Sequence, residues 1–234
     1  MDVTVMSGSS EDVKWGWESF YRKYAPDRLP WETGKPDSNL VELVEKGKIA
    51  RGRVLDICSG LGTQTIYLAV QGFEVYGIDI SPTAVDMAKQ RCRKKGAVCH
   101  LTAGDAANLK YPDGFFTFIF DRGCFHHIRP QRRERFIKGL HRVLAEGGRY
   151  FMTCFSWRNG PAWNHFKVSD IRGYFSKHFR ILETREESFV ENVSGRKLYF
   201  LSFLMEAKKK GNAAPESSRD SSTLKRKPAT GGKR

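Results

Sequence analysis

No stretch of this sequence stays apolar for long. The longest such runs lie around Phe115 to Phe120, far short of the roughly 18 residues that a membrane-spanning helix needs. A membrane span is therefore not expected. No charged-then-apolar leader follows Met1-Asp2-Val3-Thr4, so no secretory signal is expected either. No Cys-x-x-Cys pair occurs among the five cysteines, Cys58, Cys92, Cys99, Cys124 and Cys154. An odd count without close pairs argues against a disulfide scaffold and a zinc ribbon, and makes a reducing, cytoplasmic compartment the default. No resident metal is expected, and no internal repeat interrupts the pattern.

What is present suits one compact domain with additions. The 234 residues are 40% hydrophobic and 12% aromatic, enough for a substantial core. The net charge of +14 is unevenly spread. Residues 207–234 hold nine Lys/Arg against two acids, so about an eighth of the chain carries half the excess. That tail has few apolar residues and cannot repay its ordering entropy, so 208–234 reads as a disordered basic tail. Its clusters Lys208-Lys209-Lys210 and Lys225-Arg226-Lys227 suit a nuclear-import or polyanion-binding patch. A solvated solubility tail is the plainer reading.

Residues 1–48 form an N-terminal segment of different character. Val13, Trp17, Phe20, Tyr21 and Tyr24 make a helical stripe that Pro26 and Pro30 break. Asp37 or Ser38 caps a second helix over 39–45. From Gly52 onward strands and helices alternate: strands at 53–58, 74–80, 98–103, 115–121 and 149–155, helices at 63–71, 81–95 and 130–144. Short turns between them imply a mostly parallel sheet with helices on both faces. A short helix over 169–175 follows. Two further strand-like runs, 178–188 and 197–207, are joined by a bend at Val193 to Gly195 and should pair antiparallel. Residues 49–207 thus read as one α/β domain.

The strongest chemical signal is Val54-Leu55-Asp56-Ile57-Cys58-Ser59-Gly60-Leu61-Gly62-Thr63-Gln64. A buried strand runs into a glycine turn that opens a helix, and Gly60 and Gly62 let backbone approach a ligand closely. Asp79 ends the second strand, where an acid accepts hydrogen bonds from ribose hydroxyls. A dinucleotide fingerprint wants a third glycine where Thr65 stands. Asp56 at a strand end would repel pyrophosphate but suits a ligand bearing an ammonium group. Both features favour S-adenosylmethionine over a nicotinamide dinucleotide.

Asp56-x-Cys-Ser-Gly60-x-Gly62, Gly77-Ile78-Asp79-Ile80-Ser81, Gly104-Asp105-Ala106 and Phe120-Asp121-Arg122-Gly123 together resemble the class I S-adenosylmethionine-dependent methyltransferases over about 53–155. The resemblance implies a Rossmann-like seven-stranded sheet, mostly parallel with an antiparallel last strand. It also implies that Gly60 and Gly62 border the methionine part of the cofactor, and that Asp79 binds the ribose. Ile80 would pack on the adenine, and Asp105 with Ala106 would meet its edge. Ser59, Thr63, Gln64 and Asp121 join the cofactor candidates from the same motifs, beside Asp56 and Cys58. Cys58 departs from the family, which usually has glycine there, and would be strained if the position needs positive φ. Members vary at this position, so retained binding is expected.

A narrower resemblance is to the thiopurine and thiol methyltransferase branch and its small-molecule relatives. It rests on Leu29-Pro30-Trp31-Glu32-Thr33-Gly34-Lys35-Pro36, on Asp121-Arg122-Gly123 followed by Ile128-Arg129-Pro130, and on Gly160-Pro161 and Val168-Ser169. In such enzymes the N-terminal segment folds over the cofactor, which makes Trp31 a candidate lid residue or else an ordinary core aromatic. His126 and His127 are the titratable pair at the crevice. One is a candidate general base, against the alternative of a hydrogen-bonded wall histidine. Arg122 is a candidate for holding an anionic substrate or the cofactor carboxylate, against an ion pair with Asp121 or Glu32. Phe125, Phe155, Trp157 and Trp163 are expected to make the acceptor pocket apolar.

Cys58, Cys124 and Cys154 all fall at crevice-side strand ends, where soft thiolates suit a metalloid. Small core cysteines are commoner. Arg129, Arg132, Arg133 and Arg135 read as a solvated helix face. The amino-methylating nucleic-acid enzymes carry an Asn/Asp-Pro-Pro-aromatic run where Asp121-Arg122-Gly123-Cys124 stands, and no Pro-Cys dipeptide occurs. Nucleic acid is therefore not expected on the folded body. The expectation is a monomeric enzyme that methylates a small-molecule acceptor, a thiol or other soft nucleophile first, with a small aromatic O- or N-acceptor or a metalloid as the alternative. The rival is a cofactor- or nucleic-acid-binding protein that uses the basic tail.

Overall fold

In the computed structural model, residues 10–160, 164–191 and 194–210 are described. The predicted alternation is present. Helix α1 spans Ser10–Lys23 and α2 Ser38–Glu45, ahead of the sheet. Strand β1 (Arg53–Ile57), helix α3 (Thr63–Val70), β2 (Glu74–Asp79), α4 (Pro82–Lys94) and β3 (Cys99–Ala103) follow. Then come β4 (Phe116–Arg122), α5 (Pro130–Val143), β5 (Leu144–Phe155), α6 (Val168–Phe175), β6 (Phe179–Val190) and β7 (Lys197–Ala207). The strand order is β3-β2-β1-β4-β5-β7-β6. β1 to β5 pair parallel, and β7 runs antiparallel to both β5 and β6. Among the described residues no helix is long and apolar enough to cross a membrane.

Alternation along the strands explains the layers. Phe118 and Phe120 pack with Leu40, Leu43 and Leu68, from α2 and α3, on one face. Ile119, Tyr150 and Met152 pack with Phe136, Leu140 and Phe175, from α5 and α6, on the other. Both faces are covered, so the central strands read as nearly continuous apolar runs. Burying each such side chain stabilises the fold by about 1.5–3 kcal/mol.

The helix starts follow from local chemistry. Asp37 caps α2 by accepting from Asn39 N at 3.0 Å, and Ser81 caps α4 by accepting from Ala84 N at 3.1 Å. Helix α1 is held to α4 by Tyr21, which packs in one apolar cluster with Ala84, and by buried Glu18. Its carboxylate accepts from Ser81 Oγ at 2.6 Å, Thr83 Oγ1 at 2.6 Å and Thr83 N at 3.2 Å.

Strand β5 begins five residues earlier than expected. Leu144 pairs with Phe116 and Arg149 with Phe118, so the intervening residues bulge out of the ladder. Gly147 takes φ 69° there, a left-handed torsion that suits glycine in a bulge. The basic run on α5 is only partly a solvated face. Arg133 is buried and donates to Ile128 O, Tyr174 OH and Asn164 Oδ1. Arg132 pairs with Asp105, and Arg135 donates to Asn108 Oδ1 at 2.7 Å.

Residues 1–9 and 211–234 lie outside the described residues, as do Trp163 and Val193. Lys208 is docked on the body: its N donates to His178 O and its Nζ to Ser176 O.

Candidate functional site

A cavity of about 270 Å³ opens at the carboxyl ends of β1, β2, β4 and β5. Crossing from β1 to β4 reverses the strand order here, which is where open α/β sheets bind ligands. The loop after β1 is fixed by alternate left-handed residues: Cys58 at φ 55°, Gly60 at φ 52° and Gly62 at φ 74°. Gly60 N donates to Asp79 Oδ2 at 2.8 Å, and Ser59 N to Ile78 O at 3.0 Å, so the loop hangs from the end of β2. A Cβ on Gly60 would meet Tyr21 OH at 2.9 Å. Glycine is favoured there by both torsion and space.

Seven of the sequence candidates line the cavity: Trp31, Cys58, Asp79 and Ile80, with Arg122, His126 and His127 opposite. Asp79 also accepts from Ser81 N at 3.0 Å, and burial pushes its carboxyl up to about 6.

The other candidates have different places. Asp56 is buried beneath α3, where Thr65 Oγ1 donates to it at 2.6 Å. Burial pushes it up to about 7. It is not a cavity-facing anion: strand alternation turns it to the α3 side, and Thr65, standing where a third glycine was sought, satisfies it. Asp121 is fully buried and raised to about 7 by burial. It accepts from Cys124 N at 2.6 Å and Tyr150 OH at 2.7 Å, fixing the turn after β4.

Thr63 donates to Glu32 Oε1 at 2.8 Å, and Gln64 Oε1 accepts from Asp37 N at 2.8 Å. These two tie the N-terminal segment to the start of α3. Asp105 is held by Arg132, and Ala106 is packed in the core, so neither borders the cavity. Ser59 is buried with no hydrogen-bond partner for its hydroxyl.

Arg122 forms its ion pair with Asp37, at 3.0 Å, and not with Asp121 or Glu32. Its Nη1 donates to Trp31 O at 2.9 Å. The guanidinium thus straps the N-terminal segment across the cavity. Trp31 meets Trp17 edge-on at 5.4 Å, and Trp17 meets His127 edge-on at 4.8 Å.

The two histidines differ. His126 is buried, lies 4.1 Å from the Phe155 ring, and has no partner at Nδ1. It is therefore not a hydrogen-bonded wall histidine at that atom. His127 is half-buried on the cavity wall. Burial lowers His126 well below the usual imidazole range and His127 to about 4. Both are neutral near pH 7. Asn164 donates to His126 O at 2.6 Å and accepts from buried Arg133, which anchors the turn.

The expected aromatic lining needs correction. Phe125 points into the core against Phe166 and Phe175, and Trp157 is exposed. Only Phe155 of that set lines the cavity among the described residues. The walls are instead completed by Trp17, Tyr21, Phe189 and Phe200. Trp17 and Tyr21 were visible as a helical stripe. Phe189 and Phe200 lie on the terminal hairpin, where a strand pattern does not reveal that the hairpin folds over the crevice. Glu187, also on the wall, is held by Asn39 Nδ2 at 2.8 Å and Ser202 Oγ at 3.0 Å.

The two cysteines Cys58 and Cys124 are joined by a disulfide across 66 residues. This corrects the expectation drawn from cysteine spacing, which detects only local pairs. The sheet sets the ends of β1 and β4 side by side. Cys154 is free and buried in the core, and no cluster of three metal-binding side chains occurs among the described residues.

Comparison with known proteins adds an independent line. Residues 54–148 match the family model described as methyltransferase domain. The chain is 32% identical over 151 residues to 2-heptyl-1-hydroxyquinolin-4(1H)-one methyltransferase of Mycobacteroides abscessus, covering 62% of this chain and 66% of that one. It is 30% identical to probable thiol methyltransferase 2 of Arabidopsis thaliana, covering 62% and 64%. It is also 30% identical over 172 residues to human EEF1A lysine methyltransferase 2, covering 70% and 69%. The chain thus spans just under two thirds of the length of the first two relatives. Among solved structures, one described as "Conversion of a Disulfide Bond into a Thioacetal Group during Echinomycin Biosynthesis" superposes with a TM-score of 0.75. It is 22% identical and covers 86% of this chain and 94% of that one, a likeness of fold.

Proposed function

The chain belongs to the S-adenosylmethionine-dependent methyltransferase family, and from that premise we propose that its cavity carries methyl transfer to a small-molecule acceptor. The observation that carries the reading is Asp79. It is a buried acid at the end of β2, on the cavity wall, hydrogen-bonded to the glycine loop beside it.

The residues fit the cofactor. Asp79 would accept from the ribose hydroxyls and Ile80 would pack against the base. Gly60, which has no room for a Cβ, leaves the loop open to the methionine portion. When bound, the cofactor supplies an electrophilic methyl on a sulfonium.

The chain's own contribution is positioning and exclusion of water. Trp31, strapped by Arg122, would close the N-terminal side, and Phe189 and Phe200 the hairpin side. Holding donor and acceptor in line is worth about 7–11 kcal/mol of barrier when alignment is good. His127, neutral and facing the cavity, would take the acceptor's proton.

A thiol is the first acceptor class. Its thiolate is accessible near neutral pH, so it needs little help from a base. A weakly acidic hydroxyl on a heteroaromatic ring is the second, favoured by the aromatic walls. The test is label transfer from methyl-labelled S-adenosylmethionine to a panel of thiols, phenols and N-hydroxy heteroaromatics. Transfer to a thiol or hydroxyl class, absent in Asp79→Ala, supports the reading. Tight cofactor binding without transfer to any of these classes contradicts it, as does transfer confined to lysine side chains of an added protein, the acceptor named for the human relative.

A further inference from the structure

We propose that Cys58 and Cys124 form a covalent exchange site for small-molecule thiols inside the cavity. Three independent observations meet there. The two sulfurs are joined across the cavity wall, and both residues line it. Their exposure is unequal: Cys58 is exposed and Cys124 is 2% exposed. Cys58 is also the single non-glycine with positive φ among the described residues. A left-handed cysteine carries a torsional cost that glycine would avoid, and such strain persists only where its surroundings hold it. Here it sets a sulfur on the wall of a ligand cavity.

The pair is anchored on fixed backbone. Cys124 N donates to Asp121, and Cys124 O accepts from His127 N at 2.9 Å. The second thiol pair, Cys92 and Cys99, has sulfurs 2.9 Å apart but lies outside the cavity lining.

The exchange balances in two steps. A thiolate entering the cavity attacks Sγ of Cys58, the more exposed residue of the pair. A sulfur–sulfur bond forms to Cys58, the Cys58–Cys124 bond breaks, and Cys124 leaves to take up the proton the thiol has lost. A second thiol then attacks the small-molecule sulfur of that mixed disulfide and frees Cys58. Two thiols are oxidised to one disulfide, and the protein disulfide takes up their two electrons. Run backwards, a small disulfide reoxidises the pair.

The site is testable apart from methyl transfer. The full chain is reduced with dithiothreitol, freed of it, and treated with cystamine. Peptide mass spectrometry then maps the products. Wild type should regain a Cys58–Cys124 crosslink, and Cys124→Ser, lacking the resolving thiol, should hold one cysteamine on Cys58. Cys58→Gly, which relieves the torsion, should leave Cys124 unlabelled. Cys92→Ser should behave as wild type at the site. Free, alkylatable Cys58 and Cys124 in wild type after cystamine treatment would overturn the proposal, as would an adduct confined to Cys92 or Cys99. Failure of the mapping with label transfer intact defeats only this site; mapping as expected without label transfer defeats only the methyl-transfer reading.

Discussion

At His126 and His127 neighbouring residues in one turn have different surroundings. His126 is packed against Phe155, while His127 keeps a partly open ring on the cavity wall. Burial lowers His127 to about 4, so above that pH it is an uncharged proton acceptor. Replacing it with alanine should lower kcat by about 10²–10⁴ for an acceptor that must lose a proton. An acceptor already ionised at the assay pH should lose little. Steady-state rates on a phenol and on an acidic thiol, measured with the same variant, separate the cases. Equal losses on both would remove His127 from proton handling. The sequence showed the histidine pair but not this difference, because Phe155, which packs on the His126 ring, and Asn164, which holds its carbonyl, reach it only in the folded chain.

At the scale of elements, α1 depends on Glu18. Burial opposes its charge, yet hydrogen bonds from Ser81, Thr83 and Arg22 outweigh that and hold the carboxyl at about 2, below the ordinary 4.5. Its folded pKa is depressed, so its stabilising contribution is present above about 4.5 and is lost as the pH falls towards 2. Glu18→Gln should raise amide exchange in α1 at neutral pH and leave β1 and β4 protected. Unchanged exchange in α1 would mean that the aromatic stripe alone docks it. Most elements were legible from period and punctuation: Ser81-Pro82 starts α4, and the apolar runs at 54–57 and 116–120 became central strands. The bulge at 145–148 was not legible, since Gly147-Gly148 looks the same as a turn. Neither was the placing of Phe189 and Phe200 on the cavity wall, which depends on how the hairpin sits against the rest of the sheet. Arg133 was misread because a buried arginine, satisfied by Ile128 O, Tyr174 and Asn164, has the same sequence signature as a solvated one.

Over the whole molecule, charge and chemistry separate. Residues 211–234 hold six basic residues against two acids, while among the described residues those lining the cavity lie at or before Phe200. Deleting 211–234 should leave turnover unchanged within about twofold and weaken retention on heparin, with a smaller salt dependence. Lost turnover would place part of the site in that segment.

The central claim rests on the buried acid at the end of β2. Burial raises Asp79 to about 6, so it is ionised above that pH and gains a proton below it. S-adenosylmethionine affinity should then weaken as the pH falls below about 6, because a protonated carboxyl accepts ribose hydroxyls less well. Removing the charge with Asp79→Asn should cost about 1.5–3 kcal/mol, a tenfold or greater loss. Titration calorimetry of S-adenosylmethionine into the full chain and into Asp79→Asn, at pH 5 and pH 8, measures both. The account predicts binding at pH 8 that weakens at pH 5 in wild type, with Asp79→Asn weak at both. Equal affinity for the two proteins at pH 8 would contradict it.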